Sequence, residues 1–268
     1  LRPHLRVRQD QRELPHVRSV VIKVGGGTIA GGALEDLPEI IESDRRVTLV
    51  HGGGHQLTRM LDALGMNTCF REGLRITDER TLEVAEMVFA GSVNKALVRE
   101  LGSLGIPAAG ISGTDGPTLL VEPVPELGRV GEIARVEPDL IKALWWGGFM
   151  PVVAPLGLGP EGAYNVNADA VAAALAVGLE AEHLILLTDV DGLLKDGATV
   201  GSLAPEECEG CVASGIAAGG LVPMLGAAAE AARGGVSARI INGNRKGALV
   251  AALAGERVGT LISEGVVA

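Results

Sequence analysis

Twice near the start of the chain a short β-branched run stops at three consecutive glycines. Val20-Val21-Ile22-Lys23-Val24 enters Gly25-Gly26-Gly27, and Val47-Thr48-Leu49-Val50 enters His51-Gly52-Gly53-Gly54. A short apolar run bounded by turn residues reads as a buried strand. Helical patterns follow both, from Leu34 to Ser43 and from His55 to Leu64. Strand, glycine loop and helix, repeated, predict an α/β fold with a central, mostly parallel sheet joined by crossover helices. Glycine also lets the backbone approach a ligand closely, and N–H groups ahead of a helix form an anion site. Lys23 adds a cation beside the first run. The plainer alternative is a pair of tight turns with a surface lysine.

The rest of the chain keeps this alternation. Helices are expected over 78–90, 93–104, 139–146 and 247–253, with two more around Gly219-Gly220. Strands are expected over 107–111, 150–154, 183–188, 238–241 and 258–262, and short hairpins within 117–136. Residues 167–179 are apolar nearly all round, which predicts a buried helix. Pro155, Gly157, Gly159, Pro160 and Gly162 cluster as a loop between two lobes. The expected organisation is an arm over 1–18, a first lobe over 19–160 and a second over 161–268. The arm holds five Arg with Pro3 and Pro15, and reads as poorly ordered or oligomer-dependent; Leu1 in place of Met reads as a trimmed chain or an alternative start codon.

Composition narrows the function. With 47% hydrophobic residues among 268, wholesale disorder is excluded. A net charge of -10 and 2% aromatic residues argue against nucleic-acid binding, which needs a basic groove and stacking platforms. No uncharged apolar run is long enough to suggest a membrane span. Cys69, Cys208 and Cys211 are too few for a disulfide framework and fit a reducing, cytoplasmic setting. Cys208 and Cys211 have no second ligand pair nearby for zinc, so no metal-ligating set is assigned.

The familiar nucleotide motifs are missing or spoiled. There is no GxxxxGK[ST], and the formal GxGxxG at 157–162 contains Pro160 and lacks an immediate helix start. Asn165-Val166-Asn167-Ala168-Asp169 leads into the most apolar helix. Asn167 suits an N-cap, and a carboxylate at Asp169 would need a partner such as a lysine. Thr188-Asp189-Val190-Asp191-Gly192 ends a strand, either as a plain turn or as carboxylates for a ribose or metal ion. Arg75 reads as a carboxylate clamp or as a solvated side chain.

These segments, with Gly73-Leu74-Arg75-Ile76-Thr77, Gly91-Ser92-Val93-Asn94-Lys95 and Pro151-Val152-Val153-Ala154-Pro155, resemble the amino acid kinase family, and within it the acetylglutamate kinases, in order and spacing from about residue 19 to 262. The resemblance implies a two-lobed αβα sandwich, with the amino-acid lobe first and the ATP lobe second. It implies phosphorylation of the side-chain carboxylate of N-acetyl-L-glutamate by ATP with Mg2+, giving an acyl phosphate in arginine biosynthesis. By the same resemblance Lys23 and Asp169 are catalytic, Lys23 touching the phosphoryl group and Asp169 orienting the central lysines. Gly53, Gly54, Arg75 and Asn165 would bind the amino-acid substrate. Gly26, Gly27, Thr188, Asp189, Gly192 and Gly220 would bind the nucleotide. A homodimer is implied, with a hexamer the alternative; the short proline-containing arm fits a hexamer-forming helix poorly, and weak or absent arginine inhibition is expected.

One position departs from the family pattern. Gly219-Gly220-Leu221-Val222-Pro223-Met224-Leu225 carries Met224 where the family has a second lysine. Three readings follow: a slow kinase, a kinase in which Lys195, Arg233 or Lys246 substitutes, or a ligand-binding regulatory member. A kinase acting on an N-acylated 2-aminoadipate is a further alternative, because one methylene is worth only about 1–3 kcal/mol of discrimination.

Overall fold

The computed structural model describes residues 18–25, 32–71 and 73–265. An eight-stranded sheet runs through both halves of the chain. Its spatial order is Ser202–Leu203, Thr260–Ile262, Ser237–Asn242, His183–Thr188, Ser19–Val24, Arg46–His51, Met150–Ala154 and Ala108–Ser112. Six neighbouring strands are parallel, and the Thr260–Ile262 strand pairs antiparallel with Ser237–Asn242. Ser19–Val24 and Arg46–His51 are buried almost end to end, as strands covered on both faces must be. Val20, Ile22 and Val24 face a core built with Leu37, Leu97 and Leu249. Val21 faces the opposite core, with the alanine-rich helices Ala168–Gly178 and Leu221–Arg233. This is the expected mostly parallel α/β sandwich.

A second sheet orders Gly162–Asn165, Leu156–Gly159, Leu119–Pro123 and Gly131–Val136. The Gly/Pro-rich 155–165 segment is therefore a hairpin and not a loop: Leu156 to Gly159 pairs antiparallel with Asn165 to Gly162. Its glycines serve packing, since a Cβ on Gly157 would stand 2.4 Å from Val121 Cγ1. The two helices expected around Gly91 are also continuous. Glu79–Glu86 runs through a π-helical stretch, Met87–Val93, into Asn94–Ser103. Gly91 is absorbed there because a π stretch accommodates an inserted residue without ending the helix. Asp78 is the N-cap, its carboxylate accepting from Thr81 N at 2.7 Å.

Strand order places the crevice. The chain leaves Ser19–Val24 towards Arg46–His51 on one side and returns to His183–Thr188 on the other. Such a reversal opens a ligand-sized gap at the carboxyl ends of the strands. Val24-Gly25, His51-Gly52 and Thr188-Asp189 are those ends.

Candidate active site

Lys23 shares its strand face with Val21, towards the Ala168–Gly178 helix. Lys23 Nζ lies 2.8 Å from Asp169 Oδ1, and both side chains are buried. Asn167 presents that carboxylate by capping the helix: its Oδ1 accepts from Asp169 N at 2.8 Å and Ala170 N at 3.1 Å. The partner expected for Asp169 is thus Lys23.

The second glycine run sits beside the pair. Gly52 N donates to Val24 O at 3.0 Å, stitching the two strand ends together. Gly53 precedes the Gly54–Ala63 helix, and its carbonyl accepts from Leu57 N. A Cβ on Gly53 would stand 2.8 Å from the Phe89 ring, so the ring requires glycine there.

Arg75 arrives on the Phe70–Arg71/Leu74–Arg75 hairpin, whose turn uses Gly73 at φ 80°. It is buried, which removes the solvated-arginine reading. Its Nη2 donates to Gly54 O at 3.1 Å and Thr58 Oγ1 at 2.7 Å, and the guanidinium lies 4.7 Å from the Phe70 ring centroid. Nη1 is buried without a hydrogen-bond partner. Burial lowers the Arg75 pKa from its ordinary value, and the Asp62 charge opposes that shift. A half-satisfied buried guanidinium suits an incoming carboxylate, which would accept the unused donors. Asn165 Nδ2 donates to Thr77 Oγ1 at 3.1 Å.

Gly53, Gly54, Arg75, Asn165 and Asp169 all line one cavity of about 190 Å³. Thr188, Asp189, Gly192 and Gly220 do not line it. Thr188 Oγ1 donates to Asp189 Oδ1 at 3.3 Å at the end of its strand. Gly192, at φ 110°, packs on Thr260, whose Oγ1 accepts from Leu193 N at 2.9 Å. Gly220 precedes the Leu221–Arg233 helix and has open space around its Cα. Gly26 and Gly27 lie outside the described residues, as do residues 1–17 of the expected arm over 1–18.

Met224 packs into the core with Leu225, Ala227 and Ala228. Of the substitute cations, Lys195 is exposed on a hairpin. Arg233 lies at the far end of the helix, 3.8 Å from Glu209. Lys246 pairs with Glu35 at 2.9 Å. None of the three lines the cavity. Sequence reasoning missed Phe70, Phe89, Thr58 and Thr77. No local signal marks the two rings or the two hydroxyls, because only the tertiary fold carries them to the site.

The sequence matches the model of the amino acid kinase family over residues 18–242. It is 69% identical to an acetylglutamate kinase of Rubrobacter xylanophilus, covering 92% of this chain and 98% of that protein. It is 40% identical to an acetylglutamate kinase of Kosmotoga olearia, covering 92% of each. Among solved structures, smu.665 of Streptococcus mutans shares the fold with a TM-score of 0.82 at 24% identity, over 92% of this chain and 98% of that one.

Proposed function

The chain belongs to the amino acid kinase family, and from that premise we propose that it transfers the γ-phosphoryl group of ATP to the side-chain carboxylate of N-acetyl-L-glutamate. It is a phosphotransferase of amino-acid biosynthesis, and the acyl phosphate it makes belongs to the arginine pathway. The observation that carries the site reading is the cavity. It is lined by Arg75 with its unpartnered guanidinium nitrogen, by a glycine-built wall and by Asp169, through whose carboxylate Lys23 is tied to it without lining it.

Acceptor and donor are both anionic, so the reaction needs alignment and charge stabilisation and no side-chain nucleophile. Arg75 holds the α-carboxylate with its unused donors, and Asn165 meets the acetamido end. The side-chain carboxylate oxygen then faces the γ-phosphorus. A P–O bond forms to that oxygen while the bond to the ADP oxygen breaks, and no proton changes hands. Lys23, fixed by Asp169, neutralises charge on the moving phosphoryl group, and the Gly53 and Gly54 N–H groups complete the cradle. Thr188, Asp189, Gly192 and Gly220, with Gly26 and Gly27, form the nucleotide side in this assignment. Among the described residues no group of three or more His, Cys, Asp or Glu stands together. Mg2+ arriving with the nucleotide would offset the charge of its phosphates. In this assignment the lobe over 19–160 supplies most of the acceptor side and the lobe over 161–268 most of the nucleotide side, with Asn165 crossing to the acceptor and Gly26 and Gly27 to the nucleotide.

We also assign a homodimer through the first lobe, where Met60, Leu64 and Met87 are exposed. A light-scattering mass near six chains would overturn it. No helix among the described residues is long and apolar enough to cross a membrane, and a cytoplasmic setting follows from the biosynthetic role. A coupled assay of ADP release, run side by side on acetylglutamate, acetylaminoadipate and free glutamate, tests the substrate. Preference for acetylglutamate is expected; preference for acetylaminoadipate would replace it.

A further inference from the structure

We infer that His51 is a positioning residue, held as one neutral tautomer by Asn94 so that it locks the Gly52–Gly53 peptide and aims the Gly53 N–H at the reacting groups. This deepens the kinase reading and rests on it. His51 and Asn94 are both fully buried, and neither lines the cavity. They sit directly behind its glycine wall.

The hydrogen-bond pattern allows one arrangement. Asn94 Nδ2 lies 2.9 Å from Val152 O, 3.3 Å from Ile111 O and 3.1 Å from His51 Nε2. Asn94 Oδ1 accepts from Lys95 Nζ at 3.0 Å. Carbonyls only accept and an ammonium only donates, so the amide cannot be turned round. Nε2 of His51 must then be the acceptor, and the proton sits on Nδ1. Nδ1 donates to Gly52 O at 2.7 Å, and that oxygen too can only accept. Burial drives the His51 pKa down to about 4, with Lys95 adding to the shift against the Gly52 hydrogen bond, so the ring is neutral near pH 7. The amide is itself locked: a Cβ on Gly110 would stand 1.8 Å from Asn94 Oδ1.

The consequence reaches the site through peptide planarity. In a trans peptide the C=O of Gly52 and the N–H of Gly53 point in opposite directions. Holding the carbonyl on the imidazole turns the Gly53 N–H the other way, towards the cavity that Gly52, Gly53 and Gly54 line. Three consecutive glycines have little conformational preference of their own, so an external brace is needed. The Gly52 N–H is already committed to Val24 O.

Three variants test the brace. His51→Leu removes the donor, His51→Gln moves an amide to the Nε2 position, and His51→Asn keeps a donor near Nδ1. The Leu and Gln variants should lose about 10²-fold in kcat, the scale of a lost transition-state donor, with both KM values held within about threefold. His51→Asn should stay within about tenfold of wild type. A crystal structure of His51→Gln should show the Gly52 carbonyl turned. Unchanged kcat in His51→Leu, equal losses in the Asn and Gln variants, or an unmoved peptide would each overturn the inference. If His51→Leu does not fold, the Asn and Gln pair decides. The peptide is read crystallographically whichever acceptor is used, so a wild type that phosphorylates none of the three acceptors defeats the kinase reading alone.

Discussion

Lys23 is 6% exposed and Met224 is 8% exposed, so the two side chains are buried to nearly the same degree. Their surroundings differ. Lys23 leaves a strand next to a carboxylate presented by a capped helix. Met224 leaves the first turn of its helix into a face of Leu225, Ala227 and Ala228. A buried charge persists where a partner satisfies it, and an apolar pocket favours an apolar side chain. In the proposed reaction, side-chain charge for phosphoryl transfer is therefore concentrated on the strand side of the site. On the helix side the core holds Met224, the position at which the sequence resemblance implies a lysine.

The hardest test of that contrast is Lys23→Met, which makes the first position resemble the second. It leaves Asp169 as a lone buried carboxylate. Urea unfolding should show a loss of about 3–5 kcal/mol, and ADP release should fall about 10²–10³-fold. Lys23→Met combined with Asp169→Leu should recover part of the stability and none of the turnover. Arg75 is an intermediate case, with one nitrogen satisfied and one reserved. Arg75→Lys keeps the charge and loses the fork, so the KM for acetylglutamate should rise about 10²-fold with a smaller change in kcat.

His51 is buried without charge, and its contribution is read through pH. Its folded pKa, about 4, lies below the ordinary histidine value of 6.5. The unfolded state therefore binds the proton first as pH falls. The stability contribution is full above the unfolded pKa and is lost progressively down to about pH 4. Between pH 7 and 5 this amounts to about 2 kcal/mol. His183, also lowered by burial, acts in the same direction. The difference between wild type and His51→Asn in urea melts at the two pH values isolates His51. The smallest effect on turnover is expected for Met224→Lys. It should cost roughly 3–5 kcal/mol of stability by leaving a cation unpaired against alanines, and raise turnover about tenfold. Unchanged turnover would break the contrast.

Much of the architecture was legible because its signals are local. Two apolar strands ending in glycines, a capped apolar helix at Asn167 and a strand entering Thr188-Asp189 led to the parallel sheet. Lys23 and Asp169 stand out as polar residues at a strand end and at the opening of an apolar helix, whereas Arg75 and Asn165 could be given roles only through the family resemblance. What stayed hidden depends on tertiary packing. The 155–165 hairpin looks like a loop because its glycines are demanded by Val121 and Tyr164 across the sheet. The π stretch at Met87–Val93 has no simple period, so Phe89 and its contact with Gly53 could not be placed. The His51–Asn94 bond joins residues 43 positions apart. Each was visible within a motif, without any sign that they meet.

The most direct measurement is steady-state ADP release by the wild-type chain and Lys23→Met, with Mg2+, ATP and acetylglutamate, alongside a titration of acetylglutamate binding to both. The account predicts saturable turnover in wild type and a loss of at least about 10²-fold in the variant, with acetylglutamate still bound through Arg75. Turnover surviving in Lys23→Met at more than about a tenth of wild type would contradict it, because the charge would then be carried elsewhere.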